Sequence, residues 1–211
     1  MKQLENTITP WQQLPSVWKT QAAFWAFVRG ALREPWARHP IKLEFIKQNR
    51  IQVPNPNPNG RKAMVFGMTC NRCKRDFPMP VSRVVKKRIE AATGFPYRYI
   101  EINHKQEAGS LTCKEDLGRF AANLLYVVFK DLEPLCNVCH GIVTYAQRYN
   151  VDECEAEVAK EAIAICKESA TKVKGFLEKN GVIPATNATK RRKQVEQVLR
   201  QHRTAQDTEE F

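Results

Sequence analysis

Long apolar runs are missing from this chain. The longest, Ala22 to Val28, is far too short to cross a bilayer. The N-terminus carries Lys2 and Glu5 early and has no apolar stretch of the secretory kind, so a cytoplasmic location without membrane contact is expected. Acidic residues are in deficit: 22 Asp and Glu stand against 34 Lys and Arg, giving a formal charge of +12 and a pI near 9.5. Such an imbalance favours a polyanionic partner, most simply nucleic acid. No internal repeat at a solenoid period is present, which argues against a stacked-repeat architecture. Histidine is scarce, with four in the whole chain.

Cysteine, by contrast, is present in an odd number, seven. An odd count without an export signal, with four of the residues in Cys-x-x-Cys spacing, reads as metal binding rather than disulfide bonding. The pairs are Cys70-Asn71-Arg72-Cys73 and Cys136-Asn137-Val138-Cys139. Zinc takes four tetrahedral ligands, and two such turns complete a closed structural site of Cys70, Cys73, Cys136 and Cys139. Cys113, Cys154 and Cys166 stand alone and are expected to be small packing residues.

Apolar content of 43% supports a folded core. In residues 1–52, Trp11, Leu14, Trp18, Ala22, Trp25 and Val28 recur at helical spacing, with Pro10, Pro15, Pro35 and Pro40 cutting the region into short pieces. Its four tryptophans are expected to pack as an aromatic core. Residues 53–61, rich in Pro and Asn, are expected to be a linker. A strand is expected over 62–68 and a helix over 81–92. A second strand over 97–105 would place Ile100, Ile102 and His104 on one face and Glu101 and Asn103 on the other. Helices are expected over 117–130 and from 140 onward. A single amphipathic helix is expected over 151–180, followed over 181–211 by a basic helix and tail capped by Thr186 or Asn187. The fold class is α+β, predominantly α.

A strand ending in Asn103-His104-Lys105 lies between the two cysteine pairs, and the second pair runs on as Leu135-Cys136-Asn137-Val138-Cys139-His140, with Thr144 beyond. In this order the residues over about 62–150 resemble the cysteine-bearing HNH endonuclease family. Glu107 to Leu111 and Thr144 to Arg148 resemble its phage-encoded members. The resemblance implies a ββα-metal core, a hairpin crossed by a helix, that hydrolyses DNA phosphodiester bonds. It implies His104 as general base, His140 as a ligand of a catalytic Mg²⁺ or Mn²⁺, and Asn103 at the ligand position before the base. The middle residue of the implied triad is Asp131, with Asn123 as the alternative. His39 and His202 match no motif.

This chemistry calls for such residue types. A neutral histidine takes the proton from water, and a divalent cation neutralises charge at the phosphate. Lys86, Lys87 and Lys105 near the core, and Lys190, Arg191 and Arg192 on the last helix, are candidate phosphate contacts. That last stretch faintly resembles a SAP-type DNA-binding motif. Two competing functions share these features: a catalytically inactive zinc-stapled module that binds nucleic acid or a phage or host protein, and a nuclease directed at RNA.

Overall fold

The computed structural model describes residues 8–209, with side chains described to Arg203. The chain is α-rich with two small antiparallel sheets and divides into two compact units, Met1–Cys136 and Asn137–Phe211.

The first unit opens with three helices, α1 (Pro10–Gln13), α2 (Gln21–Ala37) and α3 (Pro40–Asn49). Thr20 caps α2 through its hydroxyl, which accepts from the Ala23 amide at 3.2 Å. Pro35 does not break α2 as the sequence implied. It lies in the last turn, where few downstream hydrogen bonds depend on the helix continuing. Buried Trp25 packs from α2 against Leu111, Phe120 and Leu124, with Phe24, Val28, Leu32 and Trp36 around them. Only Trp25 of the four tryptophans is fully buried; Trp11, Trp18 and Trp36 are half-buried.

Strands β1 (Ile51–Pro54), β2 (Met64–Thr69) and β3 (Asp76–Pro78) form one antiparallel sheet in that order. The Pro/Asn stretch read as a linker closes the β1–β2 hairpin. The Asn55 side-chain amide donates to the Lys62 carbonyl at 2.8 Å, and its backbone amide donates to Ala63 at 2.8 Å. Prolines remove competing amide donors there, and the asparagines bond their own backbone, as Asn55 Oδ1 does with the Asn57 amide at 3.0 Å.

Helix α4 (Arg83–Thr93) starts at Ser82, whose hydroxyl accepts from the Val85 amide, and stops at Gly94 in the left-handed region at φ 73°. The second sheet pairs β4 (Ile100–His104) with β5 (Leu132–Cys136). Between them lies α5 (Leu117–Leu125). The helix expected over 117–130 ends at Leu125; Val127 and Val128 follow, and the Asp131 carboxylate accepts from the Val128 amide at 2.9 Å, holding a tight 3₁₀ turn instead.

The second unit is helical: α6 (Asn137–Tyr149), α7 (Glu153–Cys166), α8 (Ala170–Lys179) and α9 (Ala188–Glu209). The single helix expected over 151–180 is therefore two. Ser169 starts the second by accepting from the Lys172 amide at 3.3 Å, a local bond that competes with helix continuation. Gly181 adopts φ 73°, and the Val182 amide reaches back to the Leu177 carbonyl at 2.9 Å, closing α8 as expected of a glycine there. Asn187 caps α9 through Oδ1, which accepts from Thr189 at 2.7 Å. Val158, Ala162, Val173, Leu177, Val195, Val198 and Leu199 form this unit's core. Outside it, Arg200 grips Glu155 with two donors and holds that carboxyl below its ordinary range, while Arg203 bridges Glu157 and Glu161 at 3.3 Å each.

Gly67 is the tightest point of the first sheet. A Cβ there would lie 2.3 Å from the Phe77 carbonyl oxygen and 2.8 Å from Val53 Cγ2. Gly67→Ala is expected to lower stability by roughly 1–3 kcal/mol through this overlap. Urea unfolding monitored by circular dichroism measures it, and an unchanged midpoint would show that the strands separate without cost.

Candidate metal centre and histidine site

The two cysteine pairs are brought together by backbone pairing. The first occupies a turn after β2: the Cys70 amide donates to Arg75 and the Lys74 amide to Cys70, both at 2.9 Å, with Lys74 at φ 58°. This turn is fastened to β5 by the Asn71 amide, which donates to the Pro134 carbonyl at 2.8 Å. Strand β5 ends in Cys136, opposite Ile100, and the Cys136 amide donates to Cys70 Sγ at 3.2 Å. An amide directed at sulfur stabilises thiolate character and orients the ligand.

The Sγ atoms of Cys70, Cys73, Cys136 and Cys139 all lie within 4.8 Å of one another. Tetrahedral thiolate coordination of zinc requires sulfurs about 3.8 Å apart, so the four donors need only a slight contraction. Cys70, Cys136 and Cys139 are buried and Cys73 is half-buried. Soft donors, closed access and an amide bond to one sulfur fit a structural zinc ion. Cys113 and Cys166 are half-buried and Cys154 is exposed. Among the described residues this is the one group of three or more His, Cys, Asp or Glu side chains placed to hold a metal.

His104 is the last residue of β4. Its Nε2 lies 3.0 Å from the Leu124 carbonyl oxygen at the end of α5. A carbonyl only accepts, so Nε2 carries the proton and the neutral ring has its lone pair on Nδ1. The ring packs against Trp36, with centroids 4.1 Å apart. Lys42 from α3 lies on the same indole, its Nζ 5.2 Å from the ring centroid. Burial holds the Lys42 ammonium below the usual lysine range, with Glu101 pulling the other way. Neither Trp36 nor Lys42 carries a local motif; Trp36 reaches the histidine, and Lys42 reaches that indole, through tertiary packing alone.

Asn103 is 5% exposed and stands opposite Glu133 across the strand pair. Its Nδ2 donates to Glu133 Oε1 at 2.9 Å. Glu133 escaped the sequence reading, although its position one strand away from Asn103 follows from the register. Asp131 spends its carboxylate on the Val128 amide, while its carbonyl accepts from the Lys105 amide at 2.9 Å. The alternative, Asn123, donates to the Glu107 carbonyl at 3.5 Å. His140 is half-buried in the first turn of α6, immediately after Cys139.

The candidate phosphate contacts differ in exposure. Lys87, Lys105 and Lys190 are exposed. Lys86 lies 3.9 Å from Glu90 and 5.7 Å from the centre of the Tyr99 ring. Arg191 donates to the Ala185 and Thr186 carbonyls and so ties the loop that enters its helix, while Arg192 donates to Glu196 on its own helix and to the Tyr145 hydroxyl on α6. No helix among the described residues is long and apolar enough to cross a membrane. Compared with known proteins, the chain matches no family model, no curated protein and no solved structure.

The purified protein is expected to carry one zinc per chain. Cys136→Ser should lose the ion and melt at a lower temperature, whereas Cys154→Ser should retain both. Elemental analysis paired with thermal unfolding reads this out; full zinc in the Cys136 variant would remove that residue from the ligand set.

Proposed function

We propose that this chain is a metal-dependent endonuclease of the HNH type that hydrolyses DNA phosphodiester bonds, with His104 as general base. The observation that carries the reading is the bond between His104 Nε2 and the Leu124 carbonyl. It assigns the tautomer in which Nδ1 is the basic nitrogen, and the same carbonyl favours the imidazolium that forms when Nδ1 takes a proton from water. Trp36 fixes the ring plane, and its indole face also favours the cationic form. Asp131 acts as a positioning residue: it shapes the turn whose carbonyl holds the backbone amide of Lys105, next to the base.

Asn103 and His140 are the ligands of a divalent cation that the sequence resemblance assigns, and Asn103 is bonded to the Glu133 carboxylate. Such a cation, Mg²⁺ or Mn²⁺, supplies charge stabilisation at the phosphate and the leaving oxygen. Asn103 stands where the family usually places an acidic or amide ligand, and Glu133 adds a carboxylate beside it. Net charge of +12 supports the polyanionic substrate.

Purified protein with Mg²⁺ or Mn²⁺ is expected to nick or linearise supercoiled plasmid. EDTA should abolish this, and His104→Ala should slow it about 10²–10⁴-fold while sparing DNA binding. Retained DNA binding with no cleavage by the unaltered protein would replace this reading with that of a zinc-stapled binding module. Preferential cleavage of RNA in competition would reassign the substrate.

A further inference from the structure

The five residues after α5, Tyr126-Val127-Val128-Phe129-Lys130, present apolar side chains to solvent beside the histidine site. Tyr126 is 92% exposed, Val128 51% and Phe129 36%. Single exposed apolar side chains need no explanation, but three within four positions of one short connection do. The segment is also held firmly. Its start follows Leu124, whose carbonyl touches His104, and the Tyr126 amide donates to Ala122 at 2.8 Å. Its end is closed by Asp131, whose carboxylate takes the Val128 amide and whose carbonyl takes the Lys105 amide. Phe129 additionally meets Phe45 edge-on, centroids 6.0 Å apart. Both ends of the loop are thus fixed to positions 104 and 105.

We propose that this loop is a base-stacking element, in which Tyr126 stacks on an unpaired or unstacked DNA base beside the phosphate presented to His104. The inference rests on the nuclease reading and sharpens it: the substrate is DNA whose base pairing is locally open. Three features select a nucleobase as the occupant. An aromatic ring on a held backbone offers a flat face at small entropic cost, since only two side-chain torsions need ordering. Exposed Lys130 in the loop and exposed Lys105, whose amide is bonded to Asp131 at the loop's end, bring positive charge to the same segment, as a phosphate chain running past a stacked base requires. Every base has a π face, so such a contact tolerates sequence while discriminating open from closed strands.

The test uses the full chain carrying His104→Ala, so that binding is read without cleavage. Oligonucleotides contain 2-aminopurine either unpaired in a bubble or fully paired. The parent is expected to bind the bubble more tightly and to change the 2-aminopurine fluorescence. Adding Tyr126→Ala should weaken bubble binding about ten-fold and remove the fluorescence change, while Tyr126→Phe should restore both. Lys130→Ala should lower the salt dependence of binding by about one unit of slope for bubble and duplex alike. Equal affinity of the Tyr126→Ala protein and its parent for the bubble would overturn the proposal, as would a loss equal for bubble and paired duplex. The outcome is independent of the plasmid assay: Tyr126-dependent bubble binding in a protein that never cleaves would keep the stacking element and discard the nuclease.

Discussion

The convergence of four sulfurs is the constraint on which the first unit depends. Cys136 is at once the last residue of β5, the partner of Ile100 across the strand pair, and an amide donor to Cys70. The bond from Asn71 to Pro134 adds a second tie between the first cysteine turn and the same strand. Any displacement of the metal site is therefore felt along β5 and, through the ladder, at His104 on β4. The magnitude makes this decisive. Structural zinc contributes an apparent 10–16 kcal/mol in small zinc domains, comparable with the entire net stability of a domain at about 5–15 kcal/mol. Because 62 residues lie between Cys73 and Cys136, a single ion held by the four sulfurs would also close a long loop and so offset the entropic cost of bringing its ends together.

The histidine site is built mainly from backbone. Its orientation comes from a main-chain carbonyl of α5, and its chain neighbour Lys105 is held by another main-chain carbonyl, that of Asp131. Main-chain groups in packed elements move less than long side chains, so the His104 ring is held in a defined orientation. On the same strand pair Glu133 meets the buried Asn103.

The cysteine pairing was legible in the sequence because its spacing is short-range chemistry: two sulfurs three positions apart present themselves to one ion whatever the surrounding fold. The strand carrying His104, the ends of α4 and the glycine stop of α8 were legible for the same reason, since caps and alternation act over a few residues. What escaped was settled at longer range. The Pro/Asn stretch has the composition of a linker, yet becomes a hairpin turn because β1 and β2 have faces to pair. The apolar periodicity of 151–180 runs unbroken through Ser169, and only the local bond of that serine to Lys172 reveals the break. Glu133, Trp36 and Lys42 carry no motif, and their relation to the site follows only once strands and helices are packed.

The contact between Trp36 and His104 bears on what counts as the working unit. Motif boundaries drawn around 62–150 would leave out the helix that supplies the indole, together with Lys42 and the Phe45 that steadies Phe129. The strand-and-helix motif is consequently not a portable cassette. Transplanted into another scaffold with all its cysteines and histidines intact, it would keep its four sulfurs and its ladder but lose the indole against which His104 is set. The N-terminal helices of this chain belong to the site as much as the motif does, and the two are expected to vary together wherever the sequence diverges.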